Sequence, residues 1–127
     1  MMSEKTIPLA KVLARYAKTA NIQKIPRARK LRLLWCLADY IACTVAASDL
    51  KEANTAFVLS DTGSVKIPGL EQHSFSRQGA AIAAGSLCSL LQLHDGYGNG
   101  GNHPSSVLIP SLIAATGRKG INISKVN

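Results

Sequence analysis

Nine polar or titratable side chains fall within fifteen consecutive positions: Gln92, His94, Asp95, Tyr97, Asn99, Asn102, His103, Ser105 and Ser106. Between them lie Gly96, Gly98, Gly100 and Gly101, four glycines in six residues, too many for a regular element. An imidazole moves protons near neutral pH, so His103 is a candidate general acid or base, and Asp95 could orient it or move a proton itself. A glycine-rich loop feeding a helix that starts at Pro104 can turn backbone N–H groups toward an anion. The competing reading of the same residues is a flexible inter-helix loop in which Asn and His act as local caps. A metal centre is not supported, because His94, Asp95 and His103 match no familiar ligand spacing. The chain has no Walker loop and no Gly-x-Ser-x-Gly elbow. Cys88 is expected within a helix rather than on an exposed turn. His73 is read as a residue leading into a helix.

The elements that must position this loop are mostly helices. Leu9, Val12, Leu13, Tyr16, Ala17 and Ala20 repeat at helical spacing opposite Lys11, Arg15 and Lys18, predicting a first core helix over 7–20 with Thr6 as cap and Pro8 in its first turn. A second helix, 26–47, begins basic and becomes apolar nearly all round, which predicts burial on most sides. Ser48 and Asp49 can cap a third, 50–59. Residues 60–64 carry turn chemistry, and 65–70 read as the one extended stretch, broken by Pro68 and Gly69. A fourth helix, from Ser74 or Ser76 to Leu93, has a middle of Gly, Ala and Ser only between Gly79 and Ser86, Ile82 apart. Such small residues predict an inner helix approached closely by a neighbouring backbone. Pro104 opens a fifth helix, 104–116, with Pro110 inside it and Gly117 as its stop. The tail from Ile121 has no clear period. The fold class is therefore all-α, about five helices in a single domain of 127 residues.

Composition narrows the function classes. Hydrophobic residues make up 46% and charged residues 17%, as in a folded chain. The net charge of +8 lies wholly in residues 1–32, where nine Lys/Arg face Glu4 alone; six basic and six acidic residues follow in 33–127. Nucleic-acid binding is not supported: the basic cluster at 24–32 has no interleaved aromatics and no recognisable motif. Three widely spaced cysteines, Cys36, Cys43 and Cys88, make neither a disulfide framework nor a zinc ribbon. The longest apolar run, 33–47, is interrupted by Asp39 and falls short of the roughly 18 residues of a membrane span. Residues 5–20 are basic and amphipathic but poor in Arg and Ser, so they read as a helix of the fold rather than a transit peptide. No signal-peptide h-region is present, and a cytoplasmic protein with no membrane contact is expected.

Three segments resemble one family in its own order. Residues 33–48, LLWCLADYIACTVAAS, resemble the LLLDTLGVALAGS helix near the start of MmgE/PrpD proteins, with Asp39 on that motif's aspartate. Residues 79–86 resemble the small-residue helix ahead of the family's LDFDD motif. Residues 103–112, HPSSVLIPSL, resemble its HPSAVVLPAAL helix, the most specific of the three. The resemblance covers roughly 8–120. It implies a mostly helical domain, a small di- or tricarboxylate substrate, no required metal or other cofactor, and a homodimer. It places the catalytic pair on Asp95, matching the last aspartate of the motif, and His103. Gln92 and His94 stand where the family has its first and middle aspartates, and glutamine cannot serve as a base. Family members are far longer, so the chain resembles only their N-terminal helical part.

These readings converge on a piece of a lyase or isomerase that works with a complementary polypeptide, carrying out elimination, decarboxylation or epimerisation beside a carboxylate. Asp95 and His103 would be catalytic. Gln92, His94, Asn99, Asn102 and Ser105 would bind substrate. The alternative is a non-catalytic helical fragment or interaction module of the same ancestry.

Overall fold

In a computed structural model of the chain, residues 8–116 are described. They form α1 (Leu9–Thr19), a 3₁₀ turn (Ile22–Lys24), α2 (Arg27–Ser48), α3 (Ala53–Val58), β1 (Thr62–Val65), α4 (Arg77–Leu90) and α5 (Pro104–Thr116). The expected five helices are present and the fold is all-α, with one short strand and no sheet among the described residues. Thr6, Gly117 and the tail lie outside the described residues.

The chain divides into two compact units, 1–32 and 33–127. In the first, α1 starts after Pro8 and buries no residue. Leu9, Val12, Leu13 and Tyr16 are all exposed, so the expectation of a core helix is not met within this unit: no described residue of 8–32 covers the stripe that the helical spacing creates. Asn21 caps the 3₁₀ turn, its side-chain oxygen accepting from the Gln23 N–H at 2.9 Å.

The second unit holds the core. Tyr40, Cys43 and Ala47 of α2 meet Ala53 and Ala56 of α3, Val65, Ile67, Leu70 and Phe75 of the connecting segment, and Ala80, Ala83, Ala84, Leu87 and Cys88 of α4; Ile113 of α5 completes the cluster. Only the second half of α2 is buried. Leu33 and Trp35 are each 65% exposed, against the burial on most sides that the apolar pattern predicts. At 22 residues α2 is also long and apolar enough to cross a bilayer by length and composition, which the shorter apolar run in the sequence did not suggest. Its Tyr40, Cys43, Thr44 and Ala47 are core residues of this unit.

α4 is the inner helix its composition predicts. Ser76 caps it, the hydroxyl accepting from the Gly79 N–H at 2.9 Å. A Cβ on Gly79 would stand 2.7 Å from the Asp61 carbonyl oxygen, and one on Gly85 3.1 Å from the Ser106 carbonyl oxygen of α5. The small residues are therefore where other backbone presses in, most extensively that of α5. Pro110, inside α5, is buried.

Two elements and one residue are placed differently from the sequence reading. α3 spans 53–58 and not 50–59, because Ser48 spends its hydroxyl on the Val45 carbonyl (2.7 Å) as the last residue of α2, and Glu52 leads in without a side-chain cap. The extended segment is 62–65, bridged to Phe75, and not 65–70. Pro68 followed by Gly69 at φ 86° closes a turn instead, with the Leu70 N–H donating to the Ile67 carbonyl at 2.9 Å. Proline then glycine at positive φ is the chemistry of a type II turn. His73 is not a helix-leading residue either: its ring stacks on Phe57 at 4.5 Å and lies 6.0 Å from Phe75, pinning α3 to the segment ahead of α4.

Candidate active site

Asp95 is the hub of the site, held by groups from three segments of the second unit. Its backbone N–H donates to Asp39 Oδ2 of α2 at 3.0 Å. Its Oδ1 accepts the Ser105 N–H at 3.0 Å, in the first turn of α5. A carboxylate satisfies one of the unpaired donors that every helix start leaves, and its charge complements the helix dipole there. The Asp95 carbonyl oxygen accepts from His103 Nδ1 at 2.7 Å.

That last bond fixes the state of His103. A carbonyl oxygen only accepts, so Nδ1 carries the proton, and in the neutral ring Nε2 keeps the lone pair. The side chain is exposed, and its basic nitrogen is the one turned away from Asp95. The His103 carbonyl accepts from the Ser106 hydroxyl at 3.0 Å, closing the first turn of α5 behind it. His94 sits against the same ring, with centroids 4.3 Å apart and planes at 46°. His94 itself is buried, 7% exposed.

Between Asp95 and His103 the chain makes a self-contained turn. The Tyr97 N–H donates to the Asn102 carbonyl at 2.8 Å, and the Tyr97 carbonyl accepts from Gly100 and Gly101 at 3.0 and 2.9 Å. Gly101 takes φ 59°, which a side chain rarely adopts. Asn99 and Asn102 ride on this turn and are exposed. The segment is thus a hydrogen-bonded turn between Asp95 and His103.

The remaining candidates are placed differently. Gln92 follows α4 in the left-handed region, φ 54°, with its side-chain amide donating to the Ser89 carbonyl at 2.7 Å; it is exposed and bonded back along its own helix. Ser105 is 5% exposed, and its N–H, one of the donors a helix start offers to an anion, is already taken by Asp95. Among the described residues no three His, Cys, Asp or Glu gather as a metal-binding group.

Asp39 is the residue that the sequence reading left out of the site. Its signal was available: it is the one charge in the apolar run 33–47, and a carboxylate placed there needs a partner. Beneath it the site rests on a neutral floor. Burial pushes the Cys88 thiol up to about 12, and it pushes Cys43 up as well, with the Asp39 and Asp95 carboxylates adding to both effects. The Tyr40 phenol, fully buried with no hydrogen-bond partner on its oxygen, is likewise pushed well above its ordinary range by burial.

Residues 11–123 match the family model of the MmgE/PrpD N-terminal domain. The chain matches no curated protein and no solved structure. With the match spanning nearly its whole length, from α1 through the Asp95–His103 loop and α5, the chain belongs to the MmgE/PrpD family.

Proposed function

We propose that this chain is the N-terminal helical piece of an MmgE/PrpD-type lyase or isomerase acting on a small di- or tricarboxylate in the cytoplasm. The observation that carries the reading is the fixed pair at Asp95 and His103: Nδ1–H spent on the Asp95 carbonyl, Nε2 left basic. In this reading Nε2 takes a proton from the carbon beside a substrate carboxylate in dehydration or epimerisation, and in decarboxylation the protonated ring delivers one through Nε2 to the carbon skeleton that CO2 leaves. The Asp95 carboxylate, with Oδ1 on the Ser105 N–H, serves the second proton transfer through Oδ2. Gln92, Asn99 and Asn102 are exposed and supply polar contacts to the substrate; His94 and Ser105 are buried and act on it through their neighbours. The reaction is dehydration, decarboxylation or epimerisation, and it calls on no cofactor.

A complementary polypeptide, or a second copy in a homodimer, is part of the proposal. Val107, Leu108 and Leu112 of α5 are each about 60% exposed, and apolar side chains set this way on one helix are the usual mark of a missing neighbour. The test is co-expression with a polypeptide carrying the remainder of the family fold, followed by assay on 2-methylcitrate and cis-aconitate. Turnover that is lost in His103→Ala is expected. A stable, stoichiometric, inactive assembly would sink the proposal.

One observation favours a second reading, a non-catalytic helical module of the family. Gln92 stands where the resemblance puts a carboxylate, and its side chain turns back onto Ser89. In that case the co-expressed partner still binds, no turnover appears, and His103→Ala changes nothing.

A further inference from the structure

Among the described residues two buried side-chain polar atoms lack a hydrogen-bond partner, Tyr40 Oη and His94 Nδ1. The second lies within the site. A buried imidazole nitrogen with nothing to bond is costly, so hydrogen bonding through Nδ1 is not what keeps His94 there. What it does contribute is a ring in contact with that of His103, centroids 4.3 Å apart and planes tilted by 46°.

His103 has need of such a contact. Its side chain is exposed, and an exposed imidazole turns freely about its two side-chain torsions and exchanges its ring proton between nitrogens. Keeping Nδ1–H on the Asp95 carbonyl requires the ring to stay in one orientation. His94 is suited to impose it. It is buried, and the residue after it, Asp95, is tied to Asp39 through its N–H and to Ser105 through its carboxylate, so the platform beneath the ring is fixed.

We propose that His94 is a positioning residue: its buried ring packs against His103 and holds Nδ1–H on the Asp95 carbonyl, leaving Nε2 as the free basic nitrogen. The inference rests on the proposed function only for what Nε2 then does. The tautomer itself is a property of the chain without substrate.

The experiment is a long-range ¹⁵N–¹H correlation spectrum of the histidine rings in the full 127-residue chain, in alkaline buffer where the rings are neutral. His103 should show the Nδ1–H form, opposite to the Nε2–H form that free histidine prefers. In His94→Ala that signature should be lost. In His94→Phe, which keeps a flat ring and removes both nitrogens, it should persist. Retention of Nδ1–H in His94→Ala, or its loss in a folded His94→Phe, would overturn the proposal. Should His94→Ala fail to fold, proton–proton Overhauser contacts between the two rings in the unaltered chain decide: their presence is required, and their absence overturns it. Because no turnover is read, an inactive chain would count against the proposed reaction and leave this result standing.

Discussion

Cys88 shows how strongly single side chains respond to where the fold puts them. It is completely buried, and its thiol is pushed up to about 12 from an ordinary 9.0. In the unfolded chain the thiol ionises near its ordinary value, so between roughly 9 and 12 the unfolded state has lost a proton that the folded state keeps. Stability is therefore fully present below pH 9 and falls as pH rises toward 12, with a slope approaching about 1.4 kcal/mol per pH unit for this one group. Urea titrations of the chain and of Cys88→Ala from pH 7 to the alkaline limit check it. The variant is expected to be less stable at neutral pH because of the cavity, and to lose less stability as pH rises. Cys36, only partly buried, should meanwhile react with a thiol reagent before Cys43 and Cys88 do. Asp39 belongs to this scale too. Its carboxylate on the Asp95 N–H joins α2 to the site, a bond made across 56 positions of sequence.

At the scale of elements, the close approach at α4 decides what its glycines tolerate. Gly79→Ala gains up to about 1 kcal/mol of helix propensity, but the new Cβ meets the Asp61 carbonyl oxygen at 2.7 Å, a backbone atom that cannot swing away. Overpacking of this kind costs roughly 1–3 kcal/mol, so a net fall in melting temperature is expected on thermal denaturation. Gly85→Ala should be milder, since its nearest atom lies at 3.1 Å. These consequences were legible beforehand: alanine, glycine and serine at the middle of a helix say that something comes close, and Ser76, Pro104 and the turn at 96–101 mark where α4 and α5 begin and what lies between them. The position of Asp95 against His103 was readable as proximity in sequence. The tie to Asp39 was not, because it joins a residue of another helix across 56 positions of sequence. The break at Pro68–Gly69 was legible, but not that it closes a full turn from Ile67 to Leu70, which rests on Gly69 at positive φ. The burial expected of α1 differs for another reason: helical spacing creates an apolar stripe but does not say whether its own unit supplies a neighbour for it.

For the whole molecule, the uncovered apolar surface is the dominant fact, and the chain carries its own reporter. Trp35 is the single tryptophan and stands 65% exposed on the uncovered half of α2. The chain alone should emit as a solvated indole. Under the function proposed above, addition of the complementary polypeptide should shift the emission to shorter wavelength and reduce quenching by iodide; unchanged emission in an assembled complex would mean that this half of α2 is not the surface it covers. The basic excess of residues 1–32 is compatible with an acidic face on such a partner. In that case assembly that includes α1 weakens with added salt, while burial of the apolar residues of α5 does not.

The turn bridged by Tyr97 and Asn102 has a further consequence for how such a protein can change over generations. Its hydrogen bonds close on themselves, whereas the residues on either side, Asp95 and His103, are bonded to the rest of the fold and to each other. Substitutions within 96–102 that keep these bonds therefore leave the Asp95–His103 pair in place. Under the function proposed above, this cassette is where substrate preference can be rewritten without disturbing the pair beside it.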